Sequence, residues 1–226
     1  MPHSYSSPRT KRASVSRHAW GACILLIVVS LVTAVVAFQS HRPRGPRLRT
    51  LDALLSSARI IDHRTTVLGY QRDKFGHGWG RSPTPHGVWC TTRQHVLREQ
   101  LDDIRMAPTA TCDIISGHGI DPYTGRELSI ASIDIDHIVP LSAAWDLGAA
   151  TWTRDERIAF ANDRKRNLVA TDSRINREKS DGTPDEWMPP NHGQGCWYAT
   201  AYAHVTVAYD LALTRRDVDA LRQACT

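Results

Sequence analysis

An α+β fold is what the sequence predicts, on three observations. Apolar residues recur at helical spacing in several separate stretches. Between them, residues 128–137 alternate in the period-two manner of strands and are rich in Ile. Threonine and aspartate residues with helix-opening spacing punctuate the second half of the chain, and no internal repeat occurs. A hydrophobic content of 41%, with only 14 Gly and 12 Pro, excludes a collagen, a coiled coil and a mostly disordered chain.

Residues 1–19 form a Ser-rich basic tail. From Trp20 to Phe38 no charge interrupts a run dense in Ile, Leu, Val and Ala. About 20 apolar residues cross the hydrocarbon core as a helix, so residues 20–38 are expected to enter the membrane as a signal-anchor or as a signal peptide. An anchor would leave the rest of the chain outside the cell, with the membrane as a partner. A cleavage at Val35-Val36-Ala37 would make the protein secreted. Residues 39–50 read as an extended basic linker, in which Pro43 and Pro46 block helix.

The remaining residues, 51–226, are long enough for one domain with its own core. Leu51, Leu54, Leu55, Ala58 and Ile61 make a helical stripe, and Val96, Leu97, Leu101 and Ile104 make another within Thr91 to Ile104. Residues 70–90, rich in Gly, Trp, His and Pro, read as loop. Asp121-Pro122-Tyr123-Thr124-Gly125 is a turn expected to join a strand pair running on to His137. Thr153 with Glu156 has capping-box spacing for a helix to about Asn162. Leu168 to Ala170 is a short strand, Asp172 caps a helix carrying Asn176 and Lys179, and Thr214 with Asp217 opens a last helix ending near Cys225.

Charge divides the chain. The net +5 consists of eight Lys and Arg with no acid in residues 1–50, and 20 Lys and Arg against 23 acids thereafter. Bulk attraction to nucleic acid is therefore absent from the domain. One window differs: Arg164, Lys165, Arg166, Arg174, Arg177 and Lys179 share 16 residues with only two acids, Asp172 and Glu178. A phosphate backbone is expected to dock there.

Cys23 lies in the apolar run, and Cys90, Cys112, Cys196 and Cys225 lie in the domain. None forms a CxxC pair, so the usual structural-zinc spacing is missing. An exported domain would oxidise the four, which allow three connectivities. Sequence proximity favours Cys90–Cys112 and Cys196–Cys225, and four reduced core cysteines are the alternative.

The chemistry concentrates in Asp134-Ile135-Asp136-His137-Ile138-Val139-Pro140-Leu141, followed by Asn167-Leu168 and by Asn176 and Lys179 on one helix face. Asp and Asn supply oxygen ligands for Mg²⁺, and a His works as a base near neutral pH. This pattern resembles the HNH nuclease superfamily with its ββα-metal finger, in a variant whose final His is Asn. It is most similar to the exported bacterial HNH family whose catalytic unit certain modification-dependent restriction enzymes share. Asp121 to Gly125, Ala144-Trp145, Trp152-Thr153, Phe160 to Asp163, Glu186 to Pro190 and the four cysteines extend the likeness over about residues 51–226.

The resemblance implies an HNH finger in a mainly helical domain and a metal-dependent endonuclease, DNA favoured over RNA, acting as a monomer. It implies Asp136 and Asn176 as metal ligands, His137 as general base, Asn167 as the residue that holds the loop, and Lys179 as a phosphate or metal-adjacent contact. One divalent ion is expected, Mg²⁺ first, with Mn²⁺, Zn²⁺ or Ni²⁺ as alternatives. Asp134 reads as structural, Asn162 and Asp163 as helix-end caps, and Trp145, Trp152 and Trp187 as core. The loop residues His77, His86, His118 and His192 suggest a zinc site only weakly. An inactive module that binds nucleic acid or organises a surface complex is the competing reading.

Overall fold

A computed structural model describes residues 51–108 and 112–226. The chain folds as a mixed α+β structure of short helices and four two-stranded sheets among the described residues. The tail, apolar run and linker expected over residues 1–50 lie outside them. No helix among the described residues is long and apolar enough to cross a membrane.

Helix α1 (Leu51–Leu55) buries Leu54 and Leu55, but the stripe that should continue it to Ile61 is broken. Arg59–Ile61 instead forms β1, paired in parallel with Ala212–Thr214 near the C-terminus. The β-branched Ile60 and Ile61 favour that exchange. The segment expected as loop contains the 3-10 turn Arg72–Phe75 and a hairpin of β2 (Arg81–Pro83) and β3 (Trp89–Thr91). Thr91 caps α2 (Thr92–Gln100) through a complete capping box with Gln94. That helix ends four residues early, because Asp102–Met106 (β4) pairs with Ile114–His118 (β5).

The turn at Asp121 to Gly125 forms, but the strand expected to run on from it begins only at Ile133 and does not pair across the turn. Only Ile120 and Glu127 bridge across it, and Ile130–Ser132 coils into a 3-10 turn. The reason is that Asp121 faces elsewhere: its carboxylate accepts hydrogen bonds from the Thr171 hydroxyl at 2.9 Å and the Asp172 amide at 3.3 Å. The turn thus lies across the sheet instead of belonging to it. Strand β6 (Ile133–His137) takes its antiparallel partner from β7 (Leu168–Asp172), pairing His137 with Leu168 and Asp136 with Val169.

Alternation along this pair divides the core in two. Ile133, Ile135, Leu168 and Ala170 face a small cluster with Val96 and Leu97 of α2 and Leu101 just after it, against which Trp79 packs. Val169 faces the main cluster, which holds Tyr123, Phe75, Phe160 and the Ala-rich face of α6 (His192–Ala208). Helix α3 (Leu141–Leu147) follows β6, and α4 (Arg154–Ala161) opens on the Thr153–Glu156 capping box. Helix α5 (Ser173–Lys179) starts directly after β7 on the Asp172 cap and sends Ile175 into the main core. After α6, β8 (Ala212–Thr214) leads into α7 (Arg215–Gln223), capped by Thr214 and Asp217. Disulfides join Cys90 to Cys112 and Cys196 to Cys225.

Candidate active site

The two faces of β6 carry two different chemistries. Asp134 and Asp136 point toward α5, while His137 shares its face with Ile133 and Ile135 and points toward Trp79. The backbone thus separates the carboxylates from the imidazole, although they are neighbours in sequence.

Toward α5, Asp136 is 5% exposed and fully engaged. Lys179 Nζ stands 2.9 Å from Oδ2 and 3.2 Å from Oδ1, and also donates to the His137 carbonyl at 2.8 Å. The Tyr123 hydroxyl donates to Oδ2 at 2.6 Å. Burial lowers the pKa of Lys179, and the Asp136 charge opposes that shift. Burial, then the nearby Asp136 charge, pushes the Tyr123 phenol well above its ordinary value, so it stays a hydrogen-bond donor. Asn176, one turn before Lys179, donates to Asp134 Oδ2 at 3.4 Å. Oxygen donors from Asp134, Asp136 and Asn176 therefore lie in one layer between β6 and α5. Such a set suits a hard cation that keeps several waters, and offers neither thiolate nor imidazole to a softer one. Lys179 now covers Asp136, and among the described residues no three His, Cys, Asp or Glu stand close enough to hold a metal. That includes the loop histidines.

On the other face, His137 is 6% exposed and donates from Nε2 to the Ala161 carbonyl at 2.9 Å. A carbonyl only accepts, so Nε2 carries the hydrogen and the neutral ring keeps its lone pair on Nδ1. The Trp79 ring stacks on it at 5.5 Å and 16°. Burial lowers the His137 pKa to about 3, with a smaller push from Arg72 and Lys179, while the Ala161 bond works the other way. The imidazole is neutral at physiological pH. It lines an open cavity of about 530 Å³, whose wall includes Arg72, Asp73, His77, Trp79 and Ala161.

Asn167 is completely buried in the turn before β7. Its Oδ1 accepts from the Val139 amide at 2.9 Å, and its carbonyl accepts from the Ile138 amide at 2.9 Å. Two bonds thus tie the chain just after His137 to a residue 28 positions on.

The basic window is less free than its sequence suggests. Arg164 pairs with Glu99, Arg166 with Asp163 at 3.0 Å, and Arg174 with Glu178 at 3.6 Å. Lys165 and Arg177 make no ion pair among the described residues. Of this window none lines the His137 cavity. Trp145 and Trp187 pack against aromatic neighbours in the main core, as does Trp152. Asn162 does cap α4, and Asp163 accepts from Tyr209 at 2.8 Å.

Sequence reasoning passes over Tyr123, Arg72 and Trp79 as site residues and offers His77 only for a zinc site. For Tyr123 a signal exists in the Asp121-to-Gly125 turn: Gly125 has φ +70, and a side chain there would meet the Asn191 amide at 2.5 Å. For the others the signal is aromatic and charged side chains in a segment that reads as loop.

Comparison with known proteins accords with this geometry. The family model for the C-terminal domain of GmrSD restriction endonucleases matches residues 91–224. A protein of Arthroderma benhamiae named "Uncharacterized secreted protein" is 38% identical over 200 residues, covering 87% of this chain and 94% of that one. No solved structure matches. The expectation of a membrane anchor is corrected by this relative: a protein matched along nearly its whole length bears a secreted name, and the described residues offer no spanning helix. The family is that of a restriction-endonuclease domain and points to nuclease activity on nucleic acid. With more than half of its residues matched and a relative aligned almost end to end, the chain belongs to the family of GmrSD restriction endonuclease C-terminal domains.

Proposed function

We propose that this protein is a secreted, divalent-metal-dependent endonuclease of HNH type that hydrolyses phosphodiester bonds, in DNA in preference to RNA. The observation that carries the reading is His137: neutral, held through Nε2, and bordering an open cavity at the end of a strand whose other face bears Asp136. The arrangement β6, β7, α5 is read as the ββα-metal finger, residues 51–226 as the nuclease domain, and residues 20–38 as a signal peptide cleaved on export. The disulfides support that compartment, since such bonds persist outside the cytoplasm.

In the mechanism His137 Nδ1 takes a proton from water, the water oxygen bonds to phosphorus, and the bond from phosphorus to the 3′-oxygen breaks. The leaving oxygen takes a proton from solvent, so the products are a 5′-phosphate and a 3′-hydroxyl. A phosphodiester anion entering the cavity raises the His137 pKa toward the range of a working base. Asp136 and Asn176 would hold the metal, Mg²⁺ before Mn²⁺. Zn²⁺ and Ni²⁺ are poorer fits to an all-oxygen set. The ion would neutralise charge on the phosphate and on the leaving oxygen. Lys179 keeps Asp136 and the His137 carbonyl in fixed relation, and Asn167 holds the loop that follows. Lys165 and Arg177, with Arg164, Arg166 and Arg174 once released from their partners, contact the phosphate backbone beyond the cavity.

Supercoiled plasmid tests the reading directly. The purified protein should nick it with Mg²⁺ or Mn²⁺ and not in EDTA, and His137→Ala should abolish nicking while the far-UV spectrum is unchanged. Retained DNA binding without cleavage in any of Mg²⁺, Mn²⁺, Zn²⁺ and Ni²⁺ would instead make this an inactive binding module.

A further inference from the structure

Among the described residues the cavity beside His137 is lined by one Arg or Lys, and it lies outside the residues 91–224 that the family model matches. Arg72 lines the cavity. Among the described residues no carboxylate pairs with its guanidinium and no hydrogen bond engages it. This contrasts with Arg164, Arg166 and Arg174, each tied to an acid and none in the cavity.

Arg72 is also carried on a fixed wall, although its segment has little regular structure. It opens the 3-10 turn Arg72–Phe75, whose Phe75 is 2% exposed and packs among Tyr70, Trp145 and Phe160. Arg157 of α4 donates to the Lys74 carbonyl at 3.2 Å. Gly76 closes the turn at φ +106 against Ile158, where a side chain would be strained. Further on, the Gly80 amide donates to Asn162 Oδ1 at 2.8 Å, and between these anchors Trp79 stacks on His137. The wall is thus fastened to α4, the helix whose Ala161 carbonyl orients His137.

An exposed guanidinium that no described residue pairs, lining a cavity that His137 also lines, is chemically matched to a phosphodiester. It offers a planar fork of donors to two non-bridging oxygens. We propose that Arg72 is a phosphate-binding residue of the cavity, clamping the phosphodiester that His137 attacks. This rests on the nuclease reading above and adds a substrate contact from outside residues 91–224. Asp73, the acid beside it, lines the same cavity and reduces the net charge there, so the pull on phosphate depends on Arg72 itself.

The test uses the whole chain with a fluorescein-labelled DNA duplex, followed by anisotropy in a His137→Ala background, and plasmid cleavage in the active protein. Arg72→Ala should weaken binding and raise KM by about tenfold, as expected for one lost charge-assisted phosphate contact. The slope of log affinity against log salt should fall by about one, the mark of a lost phosphate charge. Arg72→Lys should recover part of the binding, since the charge remains and the fork does not. Asp73→Asn alters the same turn and should not weaken binding. Unchanged binding and KM in Arg72→Ala would overturn the assignment. So would an equal loss in Asp73→Asn, because the turn and not the guanidinium would then be at fault. If the wild-type chain fails to cleave in Mg²⁺, Mn²⁺, Zn²⁺ and Ni²⁺ alike while Arg72→Ala still weakens binding and flattens the salt slope, the nuclease reading falls and the phosphate site stands.

Discussion

His137 is held between the Trp79 ring and the Ala161 carbonyl in its neutral form, and this ties stability to pH in a definite direction. The unfolded chain protonates this side chain near pH 6.5, whereas the folded chain does so only near about 3. Its contribution to stability is therefore whole above about pH 6.5 and is lost as pH falls from there toward 3. Urea midpoints of the wild type and His137→Asn should show it. The wild type should lose more stability than the variant between pH 7 and pH 4, and parallel curves would mean that the ring is not buried neutral. On the other face, Lys179 and Tyr123 hold Asp136 without taking its role. A carboxylate that sits beside a buried ammonium keeps a fixed orientation, at the cost of covering the oxygens a metal would seek.

At the level of elements, the site is a clamp between distant stretches of chain. Strand β6 presents both chemistries, α5 delivers Asn176 and Lys179 to one face, and α4 delivers the Ala161 carbonyl to the other. Asn167 keeps the exit of β6 against the entrance of β7. Asn167→Ala leaves the buried Val139 amide without its acceptor, which should cost about 1–3 kcal/mol in a chemical denaturation measurement. Activity should fall further than stability does, because the backbone that carries His137 loosens first; a loss of stability with full activity at low temperature would separate the clamp from the chemistry. The elements also mark where local reading succeeds. Thr91, Thr153, Asp172 and Thr214 are legible as helix openings because a cap satisfies backbone amides within three residues of itself. Strands β1 and β4 are not legible, since Ile61 and Ile104 fit a helical stripe as well as a sheet. Their partners, 153 residues away for Ile60 and in Ile114–His118 for β4, decide the matter.

For the molecule as a whole, two covalent closures flank the site. Cys90–Cys112 closes 22 residues around α2 and β4, and Cys196–Cys225 ties α6 to the C-terminal end 29 residues on. By loop-closure entropy each should contribute about 3 kcal/mol, so full reduction should lower the melting temperature by on the order of 10 °C per bridge. Calorimetry with and without dithiothreitol checks this, and an unchanged transition would mean that the bridges do not restrain the unfolded chain. Much of this molecule was determined by its sequence alone. The class of fold, the charge split between residues 1–50 and the domain, and the Asp136, His137, Asn167, Asn176 series are written in residue type and short spacing. Only the tertiary structure decided which face each of these meets. Adjacent residues on a strand point apart, so Asp136 goes to Tyr123 and Lys179, while His137 goes to Trp79, Ala161 and the cavity of Arg72. Those contacts come from residues 13 to 65 positions away, and no local pattern encodes which of them will close on the strand.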